Sequence, residues 1–224
     1  MVHLASLTAG GLKGADEFVD AYHDNPDTDF HTMVSEMAKI DRKKAKTINL
    51  GLFYGMGKGK LSSELGLTPG EAEDLFEKYH NRVPFVKEMI ERTMKKAADV
   101  GHVRTLLGRK CRFDLWEPSR YGVHKPLPRD EAEREHGKQI KRAFTYKALN
   151  KIIQGSAADM TKKAMVDLHN EGIVPHIQVH DELDCSFEND MEKDRIIEIM
   201  QNAVKLEVPV KLDCEEGPSW GEAS

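Results

Sequence analysis

Through the first hundred residues apolar positions recur at helical spacing, and turn residues cut that pattern into segments. They predict helices over 15–23, 28–39, 41–54, 58–65, 69–80 and 84–99. Thr68, Pro69 and Glu71 spell a helix start, with a capping hydroxyl, a proline at the first helical position and a glutamate completing a capping box. Gly101 and Gly108 bracket a short strand candidate at 102–107. The stretch 116–134, with Pro118, Pro126 and Pro128 among many charges, reads as an exposed insertion, and 135–170 reads as one long helix. The period then changes to two. Ile177, Val179, Leu183 and Cys185 alternate with polar residues around His180, Asp181 and Glu182, which predicts two strands within 173–187 joined by a tight turn. A helix over 192–206 and a last strand at 208–214 follow. Helices first and strands later make an α+β fold, a helical subdomain beside a small antiparallel sheet.

The chain has 224 residues, room for one large domain or two small ones. Charged residues reach 32%, and no stretch approaches the roughly 18 apolar residues of a membrane span, so no membrane partner is expected. The start lacks the basic and apolar regions of a secretory signal. Cys111, Cys185 and Cys214 are odd in number and lack CxxC spacing, which argues against a disulfide framework or a zinc site and fits a reducing cytoplasm. The net charge of −5 conceals an uneven distribution. Residues 39–60 carry seven Lys/Arg against Asp41 alone, whereas 181–224 hold four basic and thirteen acidic residues. One region suits phosphates and the other cations or solvent.

Two constellations give these charges chemical content. Arg42, Lys46, Leu50 and Tyr54 are spaced by four and share one slowly turning helix face. Two cations one turn apart can clamp a polyphosphate, and the apolar and aromatic groups beyond them suit a sugar and a base. The same spacing also fits an amphipathic helix with solvated lysines and an inward Tyr54. In the second constellation, the turn Val179-His180-Asp181-Glu182 raises carboxylates above a sheet edge, where hard oxygen ligands attract Mg²⁺, although an acidic hairpin turn needs no metal.

Taken together, these residues resemble family-A DNA polymerases, most closely the bacteriophage type. Arg42 to Gly55 resembles the RxxxKxxx(aromatic)xxxYG fingers helix, and Val179-His180-Asp181-Glu182 the palm motif VHDE. Asp29-Phe30-His31-Thr32 resembles DxHT, Thr105 to Arg109 resembles TxxGR, and Asn150 to Asp159 resembles NxxxQGxAAD, all in family order. The resemblance implies the C-terminal part of a right-hand polymerase domain. Residues 1–27 would be a palm remnant and lead-in, 28–100 the fingers with nucleotide-binding helix 41–55, and 101–224 the palm with insertion 114–135 and carboxylate hairpin 173–187. A single-subunit RNA polymerase shares this architecture but matches VHDE and NxxxQGxAAD less well.

The resemblance also implies roles. His31, Arg42 and Lys46 would meet the triphosphate, Leu50 the sugar, and Tyr54 and Gly55 the nascent base pair. Arg109 would touch the template strand, and Asn150 and Gln154 the minor groove of the primer-template. Asp181 would hold metal, with His180 near the primer terminus and Glu182 beside it. At Leu50 the family usually has Phe or Tyr, so ring stacking and any hydroxyl are lost there. The family's DxSxxExR motif, source of the other metal-binding carboxylate, is absent from the 224 residues. The expected partners are therefore primer-template DNA, deoxynucleoside triphosphates, two Mg²⁺ and a separate N-terminal polymerase chain, in a bacterial host's cytoplasm. The competing expectation is a non-catalytic nucleic-acid-binding remnant.

Overall fold

The computed structural model describes residues 11–53 and 57–223. Helices come first: α1 (Ala15–Asp24), α2 (Phe30–Ala38), α3 (Arg42–Phe53), α4 (Lys58–Leu65), α5 (Pro69–Arg82) and α6 (Pro84–Val100). Local chemistry sets their starts. The Asp29 carboxylate caps α2 by accepting the His31 backbone N–H at 2.8 Å. Thr68 and Glu71 close the predicted capping box on α5, a device worth about 1 kcal/mol. Pro69 and Pro84 open their helices, where a missing N–H leaves nothing unpaired.

Each of α1, α2, α3, α5 and α6 turns an apolar face inward. Phe18, Val34, Ile48, Tyr79, Val83, Phe85 and Val86 are all buried to 1% exposure or less. The Phe18 and Phe85 rings meet edge to face at 5.3 Å, a favoured aromatic geometry.

After α6 the chain forms the antiparallel pair β1 (His102–Arg104) and β2 (Lys110–Arg112). Next come β3 (Leu115–Pro118), β4 (Leu127–Pro128), α7 (Arg129–His136) and β5 (Ile140–Arg142), whose strands make an antiparallel sheet of order β4–β3–β5. Helix α8 (Ala148–Asn170) leads to the hairpin β6 (Ile177–Val179) and β7 (Glu182–Asp184), and α9 (Asp190–Asn202) follows. The α+β class holds, with the sheet divided into three small antiparallel pieces among the described residues.

The structure departs from the sequence pattern where distant segments compete with local preference. The long helix expected over 135–170 begins at Ala148: α7 stops at His136, Gly137 takes φ 73°, and Ile140–Arg142 pairs with β3. Sheet pairing there overrides helical spacing. The insertion is anchored at its base. The Trp116 ring lies 5.1 Å from the Arg129 guanidinium and 4.5 Å from that of Arg142, and Pro118 and Ala132 are buried. Its tip fits the expectation, with Tyr121 and Val123 fully exposed. Residues 208–214 form no strand. Val208 packs against the helical core and Lys211 pairs with Asp27 at 2.5 Å, which draws the segment toward α1, while Pro209 lacks a ladder donor.

Candidate functional site

Helix α3 sorts its residues as the four-residue spacing requires. Ala45, Ile48 and Asn49 are buried, whereas Arg42, Lys46 and Leu50 are exposed, Leu50 to 39%. Tyr54 and Gly55 lie outside the described residues. Beside this face stands the first turn of α2. Arg42 donates to Asp29 Oδ2 through Nε at 2.7 Å and Nη2 at 2.5 Å, and Asp29 also accepts from the His31 N–H and the Thr32 hydroxyl. Burial pushes the Asp29 carboxyl upward, but Arg42, the His31 N–H and Thr32 outweigh it and hold the pKa at about 2. His31 is half-buried, and burial lowers its pKa; Asp29 opposes this, while Arg42 and Lys46 add to it. The net direction is downward, which favours the neutral imidazole beside two cations. Sequence reasoning gave Asp29 no role, although an aspartate just before a helix is itself a capping signal.

A second grouping ties β1 and β2 to α8. Asn150 and Gln154 are one turn apart on α8, Asn150 half-buried and Gln154 exposed. Arg109, at the hairpin turn, donates through Nε to Asp159 Oδ1 at 2.9 Å and through Nη2 to the Gly155 carbonyl at 2.9 Å. Burial raises the pKa of Asp159, but the Thr105 hydroxyl and the Arg109 guanidinium outweigh it and leave it below its ordinary value. The Leu106 N–H donates to Ser156 Oγ at 2.9 Å. Glycine at 155 permits this approach, since a Cβ there would sit 2.6 Å from Thr105 Cγ2. Arg109 is thus a clamp between hairpin and helix, with a side chain still 48% exposed.

The carboxylate hairpin is a third, separate unit. His180 adopts φ 53°, a left-handed conformation unusual for a side-chain-bearing residue, and its carbonyl accepts from Gln178 Nε2 at 2.5 Å. The register pairs Ile177 with Asp184 and Val179 with Glu182, so two apolar and two acidic residues share one face. Every residue of β6 is exposed, as are Asp181 and Glu182. A cleft of about 590 Å³ runs between the hairpin, α9 and the C-terminal segment, bordered by Val179, Asp181, Lys193, Met200 and Trp220. Carboxylate oxygens suit Mg²⁺ in kind. They are too few here: among the described residues no three or more His, Cys, Asp or Glu side chains are placed to hold a metal ion. No described helix is long and apolar enough to cross a membrane.

Known proteins are similar to this chain in sequence and fold. Residues 12–222 match the model of DNA polymerase family A. A DNA-directed DNA polymerase of Pseudomonas phage M6 is 34% identical over 91% of this chain and 33% of its own length. The thermostable DNA polymerase I of Thermus filiformis is 36% identical over 81% of this chain and 21% of its own. Among solved structures, the POL domain of Pol1 from M. smegmatis, in complex with DNA primer-template and dNTP, aligns with TM-score 0.66 and 28% identity over 86% of this chain and 34% of that one. The chain therefore spans a third or less of the phage and Thermus relatives.

Proposed function

The chain belongs to DNA polymerase family A, and on that premise we propose that it forms the fingers and the carboxylate-bearing part of the palm of an enzyme that adds deoxynucleotides to a primer 3′ end. The observation that carries this reading is the exposed stripe of Arg42, Lys46 and Leu50 on α3, flanked by His31, whose pKa burial and the two cations lower. Residues 28–100 are the fingers, 101–224 the palm and 1–27 its lead-in.

The assigned residues act by positioning and charge. Arg42 offers a planar fork and Lys46 a point charge to the triphosphate, with His31 as a neutral donor beside them. Leu50 supplies an apolar contact to the sugar, and Tyr54 and Gly55 border the nascent base pair. Asn150 and Gln154 meet minor-groove acceptors, which are nearly alike for every base pair and so report geometry without reading sequence. The Arg109 clamp holds the β1–β2 turn against α8 close to those two residues, with its exposed edge toward the template strand. His180 and Glu182 flank Asp181 near the primer terminus.

Asp181 supplies one metal-binding carboxylate. The resemblance assigns the other, which a site with two Mg²⁺ would need, to a DxSxxExR segment that these 224 residues do not contain. The open acidic and apolar face of β6 and β7 beside the cleft supports a missing neighbour there. Primer extension by this chain, alone and mixed with a chain carrying such a segment, tests the reading. The mixture should extend the primer, and Asp181→Asn in the same mixture should retain less than about a tenth of the rate, a loss above ~1.4 kcal/mol. DNA and nucleotide binding without any extension in the mixture would instead identify a non-catalytic remnant.

A further inference from the structure

Tyr79 and Asn49 have no place in the motifs, yet the structure joins them to His31. Tyr79 lies on α5 and Asn49 on α3, both fully buried, and His31 sits at the start of α2. The Tyr79 hydroxyl donates to Asn49 Oδ1 at 2.6 Å, and Asn49 Nδ2 meets His31 Nδ1 at 2.9 Å. We propose that Tyr79 and Asn49 are positioning residues that fix His31 in its Nε2–H tautomer, leaving that proton as a neutral donor for a nucleoside triphosphate. The functional half of this inference rests on the nucleotide-binding reading of α3.

Proton counting carries the argument. A buried phenol proton needs an acceptor, and among the described residues the Tyr79 hydroxyl has Asn49 Oδ1. That bond sets the amide orientation, so Nδ2 points its hydrogen at the ring. The nitrogen facing it must then carry a lone pair. His31 Nδ1 is the acceptor and Nε2 holds the proton. Turning the amide over would let His31 Nδ1 donate to Oδ1, but it would strand the Tyr79 proton in the core. The same contact resists protonation, because an imidazolium would set N–H against N–H. The groups around the ring agree: burial, Arg42 and Lys46 disfavour the cation and Asp29 alone favours it. Burial likewise raises the pKa of Tyr79, so the phenol stays a donor at every working pH.

The device has a chemical purpose. A triphosphate brings several negative charges to a face that already holds two cations, and a titrating histidine there would make its grip vary across neutral pH. A ring locked as Nε2–H donates one hydrogen bond whatever the pH in that range.

Two-bond ¹⁵N–¹H correlation spectra of the full chain, labelled at histidine nitrogens, read the tautomer directly, and the His31→Gln spectrum assigns the signals. Wild type should show Nε2–H from about pH 6 to 8. Tyr79→Phe keeps the ring and removes the hydroxyl; His31 should then become a tautomer mixture with a raised pKa. Its affinity for dATP should fall roughly threefold to tenfold, with primer-template affinity unchanged. An Nδ1–H signal in wild type, or a Tyr79→Phe spectrum identical to wild type, overturns the relay. If Tyr79→Phe fails to fold, the wild-type tautomer and its pH titration still decide. Should His31→Gln and wild type bind dATP alike with the tautomer as expected, the nucleotide role of His31 falls while the relay stands.

Discussion

The two ends of the molecule support their charged groups differently. Under the cationic face of α3 lies a core drawn from six helices, with Ile48, Val34 and Tyr79 removed from solvent altogether. Beneath the carboxylate hairpin the cluster's buried members among the described residues are Leu168, Ile196 and Ile199, the last two at 8% and 9% exposure, and β6 is open along its length. A two-stranded ribbon is marginal without further support. The cations are thus held in place by this chain's own packing, whereas the carboxylates stand on a ribbon that gains from a neighbour. The cationic face and the carboxylate hairpin are built to different standards of rigidity within one chain.

The largest test of that contrast is a matched pair of truncations. Ile48→Ala should cost about 2 to 5 kcal/mol in urea unfolding, because its surroundings cannot collapse into the void. Ile199→Ala, at the thinner cluster, should cost roughly half as much and act chiefly on the transition reported by Trp220 fluorescence. Equal losses would remove the contrast. At the joint between the regions, Gly155→Ala drives a Cβ toward the Thr105 methyl and should cost about 1 to 3 kcal/mol despite better helix propensity. Adding Thr105→Ser should restore most of it.

Smaller effects sharpen the cationic side. Lys46→Ala should weaken dATP binding by roughly tenfold, and Arg42→Lys by several-fold as a fork becomes a point charge. Both should leave primer-template affinity near wild type; the opposite pattern would turn this helix face toward the duplex. The least effect concerns acid. The Asp29 carboxyl is depressed in the folded state, so its contribution is complete above about pH 4 and fades as pH falls toward 2. The stability difference between wild type and Asp29→Asn should therefore be flat above pH 4 and shrink below it.

What the sequence disclosed follows the range of the interactions involved. Capping is local, so the Thr68 start of α5 and the bounds of α4 are legible directly. The four-residue stripe on α3 needs a helix alone. Pairing of β3 with β5 joins residues across the whole insertion, and nothing near Ile140 announces it. The His31–Asn49 and Asn49–Tyr79 bonds span 18 and 30 residues, and Tyr79 looks from its spacing like any core aromatic. Arg109 illustrates the same limit: its motif marked it as important, but the Asp159 it grips lies 50 residues away.

The ion pair between Asp29 and Arg42 gives the cationic face a resident counter-ion. An anion that reaches Arg42 enters by exchange, displacing a carboxylate that is already hydrogen-bonded to the same guanidinium. Exchange has a shallower free-energy change than filling an unpaired site, because one charge-assisted bond is lost as another forms. The displaced carboxylate stays anchored to the α2 N-terminus through the His31 N–H, ready to return. An anion bound there by exchange would be released readily. If the proposed nucleotide-binding role holds, that reversibility is as useful as grip.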